Sequence, residues 1–228
     1  MSTIEKQVES MVSATPVKVD KVSSVEATIK TKIDYKVTKS DEGKCLLFYR
    51  YTIKDKDGKV LVSTPNYRSH SFVLQFIQWL YQKMGAVKTV SYKSTTGTIV
   101  AINWNSGLMT LDSSATTTTY GIQVGTGTTA TTIGDYVIET LIAHGTSSGQ
   151  LQYSATTLAQ PSSTSNTTSY IVTRVFSNAS AGSITVNEIT LVANLSSNRY
   201  MWARDVVTPI IVGVGEQLTI DYTMQTNV

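Results

Sequence analysis

The chain has 228 residues, of which 41% are hydrophobic, and a formal net charge of +3. That length and apolar fraction are typical of a folded protein with one large or two small cores, and they exclude a disordered chain. Cys45 is the single cysteine, which excludes a disulfide framework, and no Cys/His cluster has the spacing of a metal site.

Charge is distributed unevenly along the chain. Residues 1–62 hold 12 Lys and Arg against 9 Asp and Glu, residues 63–94 hold 4 basic residues and no acidic one, and residues 95–228 hold 3 against 7. A basic excess can indicate nucleic-acid binding. In the first third, however, the lysines alternate with Asp and Glu, as on the solvated faces of strands and turns. We therefore expect no specific nucleic-acid partner.

The N-terminal segment 1–14 is predicted to be an arm or a short helix. Ile4, Val8, Met11 and Val12 recur at helical spacing, but so short a helix is marginal alone and orders best against a neighbour. These apolar positions are therefore candidate subunit contacts. The segment lacks the apolar core of a signal peptide, and no window reaches transmembrane length, so we expect synthesis in the cytoplasm and no membrane partner.

Residues 15–66 form a lysine-rich region that is predicted to contain a β-hairpin. Residues 27–38 alternate apolar and polar side chains, which indicates a half-buried strand. A stronger strand is predicted at 44–54. The turn sequence DKDG follows it and leads to a returning strand at 59–63.

One long helix is predicted in the segment 67–85, at about residues 70–84. Ser69 or Ser71 is expected to cap its start, because a side-chain oxygen there can accept a hydrogen bond from an N–H of the first turn. Gly85 is expected to end it in the left-handed conformation.

Apolar residues cover most of the circumference of this helix. Those that fall on one face at helical spacing are Val73, Phe76, Ile77, Leu80 and Met84. Phe72, Trp79 and Tyr81 widen that face, whereas Gln75 lies on the more polar side. A helix that is apolar nearly all round is buried on several sides. It is therefore either a core helix or a subunit-contact helix, and in the second case Phe72 and Trp79 are interface residues.

Residues 86–228 are predicted to form a β-sandwich, in one continuous domain from about residue 27. The strand candidates are 87–92, 97–104, 107–111, 170–176, 183–193, 200–207 and 217–224. Short strands with turn-rich links are typical of an antiparallel sandwich, in which Greek-key or jelly-roll topology leaves few exposed edges. The polar run 160–169 is predicted to be a surface loop. The fold class is thus mainly β, with one buried helix.

Charged residues inside apolar strands predict buried ion pairs. Glu188 lies in an apolar strand, and Arg204 and Asp205 follow Trp202 closely. Because charges among apolar neighbours are usually paired, we expect Arg204 to meet Asp205, Glu188 or a carboxylate of another subunit, which makes it a candidate interface residue. The alternative is a surface ion pair that contributes little to stability.

Catalytic, cofactor and metal sites are not indicated. His144 lies among serines with Asp135 and Glu139 nearby, but the G-x-S-x-G motif of a Ser/His/Asp hydrolase is missing. Gly125 and Gly127 resemble half of a phosphate-binding loop without its lysine or its helix, so a tight β-turn is the better interpretation. We expect no enzymatic activity.

An ordered series of segments resembles a known family. The segments are DKDGKVLV, RSHSF, FIQWLY, YGIQVGTGTTATTIGDYVIETLIAHGTSSGQLQY, YIVTRVFSN, ITVNEITLVA, ARDV and GEQLTIDYTM. Over about residues 45–228 they are similar to structural proteins of tailed bacteriophages and related archaeal viruses. The resemblance implies a multicopy, non-enzymatic virion component of the capsid surface, neck or tail. Such a component is made in the host cytoplasm and contacts itself and other virion proteins.

The alternative function is a carbohydrate- or receptor-binding β-sandwich of a viral fibre or decoration protein. Glycan sites usually present an exposed aromatic ring for stacking beside Asp or Asn groups. Tyr120, Tyr153, Trp104 and Trp202 are the candidate rings, although each of these residue types packs more often in a core.

Overall fold

The computed structural model describes residues 45–69, 72–84, 88–103, 105–195 and 197–227. In these ranges the chain is mainly β, and every pair of strands is antiparallel. That part of the predicted fold class is therefore confirmed. The predicted N-terminal arm, with Ile4, Val8 and Met11, and the predicted strand at 27–38 lie outside the described residues.

Thirteen strands and one helix make up the described chain. In order they are β1 (Cys45–Lys54), β2 (Val60–Ser63), β3 (Tyr67–Arg68), α1 (Leu74–Lys83), β4 (Thr89–Lys93), β5 (Ile99–Asn103), β6 (Gly121–Gly125), β7 (Gln152–Tyr153), β8 (Thr157–Leu158), β9 (Ser162–Ser163), β10 (Thr167–Ser177), β11 (Ile184–Leu195), β12 (Asn198–Val212) and β13 (Gln217–Asn227).

The largest sheet has the strand order β2-β1-β13-β10-β7, with β3 paired to β1 and with β8 and β9 paired to β10. β13 lies at its centre, where Tyr222 stands opposite Tyr49 on one side and Val172 on the other. The predicted turn between β1 and β2 is confirmed. The carbonyl of Asp55 accepts a hydrogen bond from the N–H of Gly58 (3.0 Å), and Gly58 has a φ of 81°, which glycine adopts without steric cost.

A second sheet has the order β12-β11-β6, and β4 and β5 form a separate two-stranded sheet. The two larger sheets share one hydrophobic core. Ile220 and Tyr222 from β13 belong to the same buried cluster as Ile189 and Leu191 from β11. Each such side chain contributes about 1.5–3 kcal/mol when it is fully buried, so this shared core is what holds the sheets together.

The helix begins later than predicted, and a side-chain cap does not start it. Val73 is the N-cap residue and makes no side-chain cap hydrogen bond. The N–H groups of Val73 and Leu74 instead donate to the carbonyls of Trp202 and Ile133, each at 3.0 Å. The hydroxyl of Ser69 donates to Asp205 at 2.8 Å, and Ser71 and Gly85 lie outside the described residues. Tertiary contacts thus replace the expected cap.

The buried face of α1 also differs from the prediction. Val73 and Phe76 are buried as expected, but Ile77 and Met84 are exposed, whereas Gln75 and Gln82 are buried. The reason is that α1 packs against β12 and β4, and the β4–β5 hairpin presents carbonyl groups to it. An amide side chain can donate to these carbonyls, and an apolar one cannot.

The predicted strands of the C-terminal half are present with different limits. The strand predicted at 200–207 is longer, because β12 continues to Val212 along β11. The strand predicted at 107–111 is reduced to a single bridge between Thr110 and Asn194. The predicted loop at 160–169 contains β9 and the start of β10, which pair with each other. These residues are mostly exposed, so the predicted surface position is correct and the predicted loop structure is wrong.

Candidate functional site

A buried arginine on β12 gathers three carboxylates. Arg204 Nε lies 2.6 Å from Glu188 Oε1, Nη1 lies 2.8 Å from Asp135 Oδ2, and Nη2 lies 3.2 Å from Glu139 Oε2. Arg204 stands opposite Thr190 on β11, so Glu188, two residues along that strand, is its diagonal neighbour on the same face. The prediction that Arg204 meets Glu188 is confirmed. Because both side chains are buried, the alternative of a surface ion pair is wrong.

The other two carboxylates fix the loop that follows β6. Asp135 accepts hydrogen bonds from the N–H and the hydroxyl of Thr132. Glu139 accepts hydrogen bonds from the N–H and the hydroxyl of Thr129. Residues 126–140 are therefore tied to the sheet through Arg204, and this loop supplies the Ile133 carbonyl at the start of α1.

The electrostatics of this network favour its ionised form. Partial burial of Asp135 opposes ionisation, but the hydrogen bonds from Thr132 and the Arg204 guanidinium outweigh it and lower the pKa of the carboxyl. Hydrogen bonds from Thr129, together with Arg204, lower the pKa of Glu139. Burial would lower the pKa of Arg204, yet the facing carboxylates raise it. Asp135, Glu139 and Arg204 are thus charged at neutral pH.

Two glycines make room for the Glu188 carboxylate. A Cβ atom at Gly125 would lie 2.7 Å from Glu188 Oε2, and one at Gly127 would lie 2.5 Å from the same oxygen. Gly125 is the last residue of β6, so the tight turn predicted at this position is wrong. The glycines are required here because any larger side chain would occupy the space of the carboxylate.

Asp205, the other predicted partner of Arg204, belongs to a second buried group. Its carboxylate accepts hydrogen bonds from Tyr222 Oη (2.9 Å) and Ser69 Oγ (2.8 Å). Burial, and then the Asp205 charge, raise the pKa of Tyr222 well above its ordinary value. Asp205 also borders a cleft of about 440 Å³ that is lined by Tyr49, Arg68, Phe72, Thr131, Thr132, Ile133 and Val206.

Arg174 on β10 is a buried cation that the sequence analysis did not single out. Backbone carbonyls accept its hydrogen bonds: Nε donates to Ser154, Nη1 to Tyr120 and Ile122, and Nη2 to Ser114 and Thr117. The guanidinium also lies 4.7 Å from the Tyr153 ring centroid. Burial lowers the pKa of Arg174 to about 10. An arginine inside the apolar run YIVTRVF is the same signal that identified Arg204.

The residues considered for catalysis have structural partners instead. Nδ1 of His144 accepts a hydrogen bond from the N–H of Tyr153 at 3.0 Å, while Asp135 and Glu139 bind Arg204. Within the described ranges, no group of three or more His, Cys, Asp or Glu side chains is arranged to hold a metal ion.

The aromatic residues considered for glycan stacking are largely inside the protein. Tyr153 and Trp202 are buried. Tyr120 is half-buried, with the Arg199 guanidinium 5.0 Å from its ring centroid. Trp104 lies outside the described residues. The three described rings therefore do not form an exposed stacking platform.

An apolar groove of about 610 Å³ opens beside Trp79 and Trp202. Its other lining residues include Leu108, Met109, Leu158, Pro161 and Tyr170. The indole N–H groups of both tryptophans lack a hydrogen-bond partner within the described part of the chain. Leu108 and Leu158 on the rim are exposed, so this groove offers apolar contact area.

Two regular elements also present apolar side chains to solvent. On α1, the side chains of Leu74, Ile77, Tyr81 and Met84 are 46%, 49%, 51% and 84% exposed. On β2, which is an end strand of the largest sheet among the described residues, the exposed apolar residues are Val60, Leu61 and Val62. In general, large contiguous apolar patches are one mark of protein–protein contact sites.

The residues predicted to form subunit contacts occupy different environments. Phe72 stacks on Phe76 with a centroid distance of 4.0 Å, and Trp79 lies 4.9 Å from Trp202. Phe72 and Trp79 are half-buried, whereas Arg204 is buried and binds carboxylates of its own chain. A role of these residues in subunit contact stays a prediction.

The helix of the described chain is short, and no helix in these ranges has the length and apolar character needed to cross a membrane. No protein-family model matches the chain, and comparisons with curated proteins and with solved structures found no match.

Proposed function

We propose that this protein is a non-enzymatic structural subunit of a tailed-virus particle, present in many copies in the neck, the tail or the capsid surface. The observation that carries the proposal is the exposed apolar surface on two ordered elements, α1 and β2. Exposed apolar area of this extent costs free energy in water, and contact with another subunit removes that cost.

The end strand β2 supports assembly through the sheet edge. Its outer side has no strand neighbour within the described residues, and its side chains Val60, Leu61 and Val62 are all exposed. An edge strand of this kind is a template for a strand from another chain. Natural monomers usually protect such edges with charges or proline, and VLVS has neither.

The order of the strands supports a β-sandwich of the Greek-key or jelly-roll type. The chain passes from β10 in the larger sheet to the β11–β12 pair in the smaller sheet, and returns to the larger sheet as β13 beside β10. β10 and β13 thus pair with each other, and the β11–β12 hairpin that connects them lies in the facing sheet. This is the kind of connection found in those topologies.

The particle assignment comes from the resemblance of the ordered segments to structural proteins of tailed viruses. Four of these segments fall on β10, β11, β12 and β13. The resemblance thus covers the strands that build the shared core, together with Arg204 and Asp205, and it favours a common scaffold.

The proposal is tested on purified particles and on the purified chain. Mass spectrometry of gradient-purified virions should find the chain at a fixed, multicopy ratio to the major capsid protein. Light scattering should show an oligomer, or a monomer that assembles as its concentration rises. Leu61→Lys should weaken assembly at the β2 edge, while Ser63→Lys at the end of the same strand should have a smaller effect.

Absence of the chain from the particles would refute the structural role. A strictly monomeric chain that binds glycans at submillimolar affinity would support the receptor-binding alternative instead.

A further inference from the structure

Residues 126–140, all of which the structure describes, form a surface loop whose two ends lie together. The N–H of Thr126 donates to the carbonyl of Thr140 at 2.9 Å, which closes the base of the loop in the manner of an Ω-loop. Ile138 is the only buried apolar side chain of this loop, and Ile133 is 69% exposed. Burial of apolar surface therefore anchors the loop at one position, near its end.

Charged side chains attach the loop to β11 and β12. Asp135 Oδ2 lies 2.8 Å from Arg204 Nη1, and Glu139 Oε2 lies 3.2 Å from Arg204 Nη2. The buried carboxylate of Glu188 also accepts a hydrogen bond from the N–H of Glu139 at 2.9 Å. A segment with few buried apolar contacts opens at a lower free energy than the core strands, so the ion pairs decide whether this loop stays closed.

The loop also forms part of the wall of the cleft beside Asp205, which has a volume of about 440 Å³. Thr131, Thr132 and Ile133 line the cleft from the loop. The other lining residues come from β1, β3, β12 and the segment before α1, and they are Tyr49, Arg68, Phe72, Asp205 and Val206. Since the Ile133 carbonyl accepts the N–H of Leu74, movement of the loop away from the sheets would widen the cleft and release the first turn of α1.

The charged groups around Asp135 and Glu139 determine how acid acts on the loop. Those that face it are Glu188 of β11, Arg204 and Asp205 of β12, Lys93 of β4, whose Nζ lies 3.6 Å from the ring centroid of Tyr136, and, across the cleft, Arg68 of β3 with the hydroxyl of Tyr49. Protonation of Asp135 and Glu139 removes two negative charges and leaves the arginine and lysine cations in place. The pKa of Asp135 is lowered from 3.8 and that of Glu139 from 4.5, so their charge is lost only below these ordinary values.

We propose that loop 126–140 is an acid-releasable strap: protonation of Asp135 and Glu139 detaches it from Arg204 and opens the cleft while the two larger sheets stay folded. No residue of the loop belongs to the buried cluster that these sheets share, so the strands keep their core when the loop opens. The device goes beyond the proposed assembly role and is independent of it, because it uses contacts within one chain.

Hydrogen–deuterium exchange of the full-length protein, measured by mass spectrometry of its peptides, tests the strap. The double variant Asp135→Asn, Glu139→Gln imitates the protonated loop at neutral pH. Exchange in residues 126–140 should then be about ten-fold faster than in the unmodified protein, whereas peptides from β10 and β13 should exchange at the same rate in both. Asp57→Asn is the matched control, since Asp57 is an exposed carboxylate paired with Lys56, and it should leave all these rates unchanged.

The unmodified protein provides a second measurement that needs no substitution. After correction for the intrinsic pH dependence of amide exchange, loop 126–140 should exchange several-fold faster at about pH 3 than at about pH 6, and the double variant should show no such difference. A loop whose exchange is unchanged in either measurement would overturn the proposal. Equal acceleration of β10 and β13 would also overturn it, because acid would then unfold the whole domain instead of opening the loop.

Discussion

At the residue scale, Arg204 and Glu188 show how the fold accommodates charges in its core. An isolated buried charge is costly, and a buried pair is stable only when the geometry and the additional hydrogen bonds are good. Glu188 meets this condition, because it accepts from Arg204 Nε and from the N–H of Glu139 (2.9 Å). Arg204 meets it through three carboxylates.

We predict that Glu188→Gln destabilises the protein by about 3–5 kcal/mol, because it removes one partner of a buried ion pair. Chemical denaturation followed by circular dichroism measures this loss. Asp57→Asn is the control, since Asp57 pairs with Lys56 on the surface and should change stability by less than about 0.5 kcal/mol. Equal effects of the two substitutions would contradict the importance of burial.

The same network predicts a dependence of stability on acid pH. The pKa of Asp135 is lowered from 3.8 and that of Glu139 from 4.5 in the folded protein. A carboxyl whose pKa is lower in the folded than in the unfolded protein stabilises the fold at pH values above its unfolded pKa. This stabilisation is lost as the pH falls through the pKa of the folded state. The melting midpoint should therefore decrease below about pH 4.5, and Asp135→Asn should flatten this decrease. Parallel profiles for the two proteins would exclude Asp135 as a contributor.

At the element scale, α1 is held by polar groups that face the β4–β5 hairpin. Nε2 of Gln82 donates to the carbonyl of Ile102 at 2.6 Å, and its Oε1 accepts from Tyr92 Oη at 2.7 Å. Burial, followed by the nearby Tyr200, raises the pKa of Tyr92 to about 12, so its hydroxyl stays protonated and able to donate. A glutamine in the buried face therefore joins the helix to the hairpin.

We predict that Gln82→Leu destabilises the fold although it makes the helix more apolar. Leucine cannot hydrogen-bond to the Ile102 carbonyl or to the Tyr92 hydroxyl. The loss of this partner should cost about 1–3 kcal/mol of folding free energy for each buried group. Gln78→Leu should cost less than about 1 kcal/mol, because Gln78 makes a single, solvent-exposed hydrogen bond to Ser91 (3.2 Å). Chemical denaturation of the two variants measures the difference, which appears as a lower midpoint for Gln82→Leu than for Gln78→Leu. A stabilising Gln82→Leu would show that apolar packing dominates this face.

The helix also shows which features of the fold the sequence could predict. Periodicity identified the helix and the main strands, because local alternation reports which side chains share a face. It assigned Ile77 and Met84 to the core, however, since hydrophobicity alone does not distinguish a buried apolar face from an exposed one. Gln75 and Gln82 were missed because their partners are carbonyls of strands distant in the sequence. Arg204 and Glu188 were identified because a charge in an apolar strand is informative without knowledge of the fold.

At the scale of the whole molecule, the buried networks and the exposed surfaces are connected. Arg204 holds the loop 126–140 through Asp135 and Glu139, and this loop supplies the Ile133 carbonyl to the first turn of α1. α1 in turn carries the exposed side chains of Leu74, Ile77 and Tyr81. The charge network thus helps to position the exposed apolar side of the helix.

The last prediction separates the folded subunit from its assembly. Deleting residues 1–14 should leave the β-rich circular dichroism spectrum and the melting midpoint nearly unchanged, because the described strands of both larger sheets and the described residues of their shared core lie after residue 44. Incorporation into particles should decrease strongly. Each copy contributes only a few apolar side chains, worth about 1.5–3 kcal/mol apiece when fully buried, and attachment then depends on many copies acting together. Replacing Ile4, Val8 and Met11 by serine in the full-length chain should reproduce the loss of incorporation. A truncated chain that unfolds would instead place the arm in the core of its own subunit.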